Sequence, residues 1–202
     1  MSEKATRGNG LLEGFLSEQR SKVSNKLIPE IYRKGNILDI GCGSYPINLI
    51  KTNFRNKYGA EKGLTEETKE KVKNKYDINL VKFDIENDEK LNFEDNFFDI
   101  VTMLAVFEHI EPKKLNFILS EIYRVTKKNG IYILTTPTVI ADKVLRVMAN
   151  LSLVSKEEIE EHKDAYTINK IKKYLIDANF EENKLNFGYF ELGMNIWATA
   201  KK

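Results

Sequence analysis

The sequence predicts an α/β fold in which a mostly parallel sheet lies between helical layers. Three observations carry this. Strand-like and helix-like segments alternate from about residue 36 to residue 136. A short apolar run, Asn36 to Ile40, stops at Gly41-Cys42-Gly43, as a buried strand entering a tight turn does. Finally, Leu115, Ile118, Leu119, Ile122 and Val125 form one apolar stripe over Lys113–Lys128, and Ile131-Tyr-Ile-Leu-Thr135 follows at once as a strand.

The chain's 202 residues suit one domain with a full sheet and crowd two. With 42% hydrophobic and 31% charged residues, it reads as globular rather than disordered. No apolar run approaches the roughly 20 residues that cross a bilayer, and the first residues lack a secretory apolar core. A cytoplasmic location and no membrane partner are therefore expected. The net charge of +2 and scattered Lys-Lys pairs at 113–114, 127–128 and 172–173 read as solvated faces, so no nucleic-acid partner is expected. One cysteine and two histidines exclude a Cys/His metal cluster, and no metal is expected, although a carboxylate site stays open.

In chain order, Leu12, Phe15, Leu16, Val23 and Leu27 recur at near-helical spacing before Pro29, predicting an amphipathic leading helix. Helical segments near 44–52, 65–75 and 113–127 interleave with strand-like runs near 56–61, 79–84, 98–104 and 131–136. Asn129-Gly130 reads as a helix stop. Ser155-Lys-Glu-Glu158 has the form of a capping box, and Thr167 caps a helix carrying Ile168, Ile171, Tyr174 and Leu175 that Asn179-Phe180 closes. Two runs around Leu192-Gly193 predict a terminal hairpin.

The chemistry concentrates at the carboxyl ends of the early strands. Gly41 and Gly43 let a ligand approach the backbone without meeting a Cβ. Glu61, 20 residues past Gly41, closes the second strand-like run, where a carboxylate can accept hydrogen bonds from both ribose hydroxyls. The pair points to a nucleoside-type ligand. Pro46 stands where a dinucleotide fingerprint has its third glycine, which disfavours a pyrophosphate and hence a nicotinamide reductase. Taken singly, Asp39 is also readable as a turn acid, Asp84 as a helix cap and Glu61 as a solvated charge.

Over about residues 35–137 the chain resembles the class I S-adenosylmethionine (SAM) dependent methyltransferases of the branch acting mostly on small molecules. Ile37-Leu-Asp-Ile-Gly-Cys-Gly43, Tyr58-Gly-Ala-Glu-Lys62, Leu80-Val-Lys-Phe-Asp-Ile85, Leu91 to Val101 and Glu121 to Gly130 carry the likeness, in order and at fitting spacing. The resemblance implies one Rossmann-like domain over 1–202, with seven strands in the order 3-2-1-4-5-7-6 and one antiparallel strand near the C-terminus. It implies SAM as cofactor. Asp39, Gly41, Cys42, Gly43 and Ser44 would wrap its methionine end, Glu61 with neighbouring Lys62 the ribose, and Asp84 and Ile85 the adenine, with Leu104 completing the set. Cys42 reads as a small packing residue, not a nucleophile.

The acceptor class follows by exclusion. A covalent pyrimidine adduct needs a thiol, and Cys42 sits in the cofactor loop. Methylation of planar amino groups goes with an Asn/Asp-Pro-Pro-aromatic motif, whereas this chain reads Met103-Leu-Ala-Val-Phe-Glu-His109. A small-molecule acceptor remains, gripped by a helical lid over 1–28 and an insertion over 137–166. The tail from Glu161 to Lys202 resembles prokaryotic relatives, and that resemblance implies a sugar or another metabolite as the acceptor. His109, after the fourth strand, is the candidate general base, with a purely orienting or capping role as the alternative. His162 is a weaker acceptor-site candidate, and Arg20 is placed to pair with the SAM carboxylate. A monomer or homodimer is expected, and a SAM-binding partner subunit without catalysis is the second reading.

Overall fold

The computed structural model describes residues 13–141, 144 and 163–202. Seven strands form one sheet: β1 (Asn36–Ile40), β2 (Asn56–Glu61), β3 (Ile78–Lys82), β4 (Phe98–Leu104), β5 (Thr126–Pro137), β6 (Leu185–Phe190) and β7 (Asn195–Lys201). Their order is β3-β2-β1-β4-β5-β7-β6. β1 pairs in parallel with β2 and β4, β2 with β3, and β4 with β5. β7 alone runs antiparallel to its neighbours β5 and β6. The expected order and the single reversal are both present.

The described helices are α1 (Glu13–Leu27), α2 (Ile47–Lys51), α3 (Glu66–Tyr76), α4 (Pro112–Val125) and α5 (Ile168–Asp177). On one face of the sheet, Leu115, Ile118, Leu119 and Ile122 of α4 and Ile171 and Leu175 of α5 bury against Val101, Met103, Tyr132 and Leu134. On the other, Leu49 of α2 and Val72 of α3 cover Ile37, Ile78, Ile100 and Ile133. Strand period two explains the division, because alternate residues of β4 and β5 face opposite layers.

Several boundaries differ from the sequence reading. The helix expected over 44–52 is confined to Ile47–Lys51, since Pro46 precedes its first turn without a side-chain cap. β3 stops at Lys82, two residues before Asp84. α4 ends at Val125 rather than Lys128, because Thr126 adopts extended backbone while its hydroxyl donates to the Ile122 carbonyl (2.6 Å). The Lys202 ammonium collects the carbonyls of Tyr123 (2.6 Å) and Thr126 (2.8 Å), groups that a helix end otherwise leaves to water. Asn129, at φ 67°, therefore lies within β5, where the register slips between Phe98 and Ile100 of β4. Leu115 to Val125 do form the buried stripe.

Thr167 caps α5 by accepting from the Lys170 amide (3.3 Å), and left-handed Asn179 follows the helix. The terminal hairpin turns through Glu191, Leu192 and Gly193, all left-handed. The capping box at 155–158 and His162 lie outside the described residues.

The leading helix is present, with Leu16, Val23 and Leu27 half-buried and Leu27 against the core, but its most buried positions are serines. Phe15 is 57% exposed, while Ser17, Ser21 and Ser24 are buried beneath α1. The helix packs beside α2 and over β4 and β5, and its face is serine because the sheet surface below it is polar.

The Glu121–Gly130 segment, which carried much of the resemblance, has a structural role in its charged part. Arg124 donates to the carbonyls of Leu91 (2.9 Å) and Phe93 (2.8 Å) and pairs with Glu121 (2.7 Å) and Asp95 (2.7 Å). It thereby pins the approach to β4 onto α4. The Glu121 hydrogen bond is the main reason its already high pKa rises further.

Candidate cofactor and acceptor site

Parallel pairing brings the carboxyl ends of β1, β2, β3 and β4 to one edge of the sheet, and every residue expected to hold cofactor, Arg20 apart, lies on or just beyond these ends. Between β1 and α2 the chain turns through Gly41 (φ 71°) and Gly43 (φ 70°), in the left-handed region where a side chain is strained. A Cβ on Gly41 would stand 2.4 Å from Cγ2 of Val106, so this loop lies directly against the turn after β4. The backbone forms a cradle whose openness depends on glycine.

Glu61 closes β2 and is buried. Its Oε2 accepts from the Gly43 amide (3.2 Å) and its Oε1 from the Gly63 amide (3.2 Å). These two bonds tie the first two loops together. Cys42 tucks beneath the loop, where a Cβ on Gly59 would meet its sulfur at 2.6 Å. Burial, with Asp39 and Glu61 nearby, pushes its thiol well above the ordinary range, so it is a packing group rather than a nucleophile. Ser44 is exposed.

Asp39 is the deeply buried acid of the site. Its Oδ1 accepts from Thr102 (2.5 Å), and Thr102 in turn accepts from Asn48 Nδ2 (3.2 Å). Burial raises the Asp39 pKa to about 7, while the Thr102 and Asn48 hydrogen bonds pull the other way. Asp84 lies beyond β3 and organises its own turn, accepting from the Glu86 amide (3.0 Å) and the Asn87 side chain (2.8 Å). The Asn87 bond is the main reason its carboxyl lies below the usual range, and Lys62 lowers it further. Ile85 packs half-buried against the core, and Leu104 ends β4.

After β4 the backbone passes through left-handed Ala105, whose amide donates to the Thr135 carbonyl (2.9 Å), into a 3-10 turn over Phe107–His109. This turn sets His109 at the same edge, partly exposed. Its neighbour Glu108 is buried and accepts from Thr136 (3.0 Å) on β5. Arg20, on α1, lies where its charge acts on Glu191 at the hairpin tip; Glu191 is raised above the carboxylate range mainly by burial, against the pull of Arg20.

Sequence reasoning missed Asn48, Thr102 and Glu108. Thr102 reads as an ordinary β-branched strand residue and Asn48 as a helix surface residue. The available signal was a polar residue inside each of two otherwise apolar runs, Ile47–Ile50 and Ile100–Leu104.

Residues 38–134 match the model of the methyltransferase domain family. No curated protein matches the chain. Among solved structures, a SAM-dependent methyltransferase from Archaeoglobus fulgidus shares 18% identity and a TM-score of 0.67, covering 94% of this chain and 94% of its own. A possible histamine N-methyltransferase from Thermotoga maritima shares 18% identity and a TM-score of 0.68, covering 95% and 91%. A Haloferax volcanii methyltransferase, solved in complex with its Trm112 activator, shares 12% identity and a TM-score of 0.67, covering 94% and 95%. Residues 38–134 thus form a methyltransferase domain, the chain has the class I SAM-dependent methyltransferase fold, and SAM is the cofactor that domain and fold imply. Among the described residues no helix is long and apolar enough to cross a membrane, and no cluster of acids, histidines or cysteine is arranged for a metal.

Proposed function

We propose that this enzyme moves the methyl group of SAM to a small-molecule acceptor, a sugar or another metabolite, and acts as a monomer or homodimer. The observation that carries this reading is the buried Glu61 carboxylate, fixed by the Gly43 and Gly63 amides at the mouth of a glycine cradle. Glu61 would accept from the ribose hydroxyls. The Gly41–Ser44 loop and Asp39 would hold the methionine end, Asp84 and Ile85 the adenine, and Leu104 the neighbouring wall.

When bound, SAM supplies an electrophilic methyl on a sulfonium whose positive charge is lost as the new bond forms. Apolar walls, here Val106 and Ile85, exclude water, and alignment then supplies much of the rate. His109 would take the proton from a hydroxyl acceptor, while a neutral amine would need no base. Acceptor contacts would come from α1 and the segment after β5. Arg20 would meet the cofactor's carboxylate only by turning from Glu191.

Isothermal titration with SAM, S-adenosylhomocysteine and NAD tests the reading. Both adenosyl ligands should bind and NAD should not, and Glu61→Ala should weaken adenosyl binding about ten- to hundredfold through lost charge-assisted hydrogen bonds. Unchanged affinity in that variant would remove Glu61 from the site. A second measurement concerns His109→Ala: turnover unchanged across pH with a hydroxyl acceptor would end its role as base.

A further inference from the structure

Beneath α1 lies a line of buried polar side chains of which the cofactor reading uses only Asp39. Ser21 on α1, Asn48 on α2, Thr102 on β4 and Asp39 on β1 are each at most 4% exposed. They form one hydrogen-bonded row: Ser21 Oγ donates to Asn48 Oδ1 (3.4 Å), Asn48 Nδ2 to Thr102 Oγ1 (3.2 Å), and Thr102 Oγ1 to Asp39 Oδ1 (2.5 Å). A buried asparagine in a five-residue helix costs desolvation with no packing gain, so its retention calls for a partner that needs an amide. Asp39 is that partner: a carboxylate so deep is held ionised only by donors or an opposite charge.

We propose that Asn48 and Thr102 are positioning residues that keep the Asp39 carboxylate charged and aimed at the ammonium group of the cofactor's methionine end, with Ser21 tying α1 to the same row. The inference rests on the cofactor placement above and deepens it. Thr102 has one proton and two acceptors within reach, Asp39 at 2.5 Å and the Leu38 carbonyl at 3.2 Å. With Asp39 ionised, the Thr102 proton points to the carboxylate. When Asp39 takes up a proton, that proton occupies the Asp39–Thr102 bond and Thr102 turns to Leu38. The row therefore registers the charge that the ammonium needs.

The other titratable groups near this row act on it only weakly. From β2 and its loop, Glu61 and the Cys42 thiol lie near Asp39, and the thiol stays protonated. From α1 and α2, Glu18 and Lys51 pair with each other at 2.6 Å, Lys22 is exposed, and Arg20 acts on Glu191. Asp39 is governed by burial and by its two neutral partners.

Carbon-13 carboxyl NMR on cofactor-free protein reads the Asp39 titration directly, with the resonance assigned by its loss in Asp39→Asn. In Asn48→Leu and in Thr102→Val the midpoint should rise by about one pH unit, and in Ser21→Ala by less. Titration with S-adenosylhomocysteine should then show about tenfold weaker binding near neutral pH in the first two variants, recovering to within about twofold at pH ~9, where Asp39 is ionised in all. An unmoved midpoint overturns the inference, as does a loss of affinity that is equal at every pH, the mark of a merely structural role. If Asn48→Leu does not fold, Thr102→Val decides alone, being close to isosteric. Wild-type protein that binds no adenosyl ligand would defeat the cofactor reading instead, while the carboxyl titration would still judge the row.

Discussion

The two faces of the sheet are built to different rules. Against α4 and α5 the surface is mostly apolar and aromatic: Phe98, Phe107, Tyr132, Tyr166 and Phe180 are almost fully buried there, Phe107 and Tyr166 meeting edge-on at 4.7 Å and Tyr132 and Phe180 stacking at 6.2 Å. Against α1 and α2 the lower half is apolar, but the half nearest the carboxyl edge is polar, with Asp39, Thr102, Asn48, Ser21 and Ser24 buried. The first face is packed for stability. The second gives up part of that stability to keep charge and hydrogen-bonding groups under the glycine loop, since buried polar groups return little net energy even when satisfied.

The sharpest way to break this contrast is to hollow out the apolar face. Phe98→Ala removes a fully buried ring that Tyr58, Phe93 and Phe97 surround, with Tyr58 at 5.5 Å between centroids. It should cost about 3–5 kcal/mol in urea unfolding, a large share of any small domain's stability. A loss below about 1 kcal/mol would mean the aromatic cluster is not the stabilising half.

Next in size is a substitution that stabilises. Burial raises the folded pKa of Asp39 to about 7, from an ordinary value of 3.8. Between those values the folded state holds more protons than the unfolded state, so this group makes stability fall as pH rises from about 4 to about 7 and stay reduced above. Its raised pKa thus opposes folding at neutral pH and not in acid. Asp39→Asn should therefore stabilise cofactor-free protein at pH ~8 by about 2–4 kcal/mol, with the gain disappearing near pH ~4. The same variant should lose affinity for S-adenosylhomocysteine. Destabilisation at pH ~8 would show that the acid is not strained by burial and that the polar half is no sacrifice.

These two faces also explain what the sequence made legible. The α4 stripe followed from strong periodicity, whereas the strand order and the single reversed strand came through the family resemblance, carried by motifs between about residues 35 and 137. Gly41, Gly43 and Glu61 stood out because few other residue types serve a tight turn or a buried acceptor at those positions. The boundary between α4 and β5 was misjudged because Asn129-Gly130 is stop chemistry that β5 uses within a strand, while the real stop is Thr126 together with the distant Lys202. The buried serines of α1 were hidden for a related reason. Three serines at helical spacing look solvated until the surface below them is known to carry Thr102 and Asn48. The polar row is a tertiary property, assembled from four elements, and no local window holds more than one of its members.

The smallest expected effect tests the polar half at its weakest member. The Ser24 hydroxyl on α1 is buried and makes no hydrogen bond among the described residues, whereas the Ser21 hydroxyl, one turn away, reaches Asn48. Removing an unsatisfied buried hydroxyl recovers its desolvation cost, and alanine is also the better helix former, so Ser24→Ala should raise stability by about 0.5–1 kcal/mol. Ser21→Ala removes a satisfied hydroxyl and strands an amide oxygen, so it should lower stability by about 1 kcal/mol. Thermal melts of the two variants, run side by side, isolate the difference because helix propensity contributes equally to both. Equal shifts would mean that α1 rests on the sheet by shape alone. Opposite shifts would show that the helix is held through the row that ends at Asp39, so that whatever moves α1 also reaches the acid under the glycine loop.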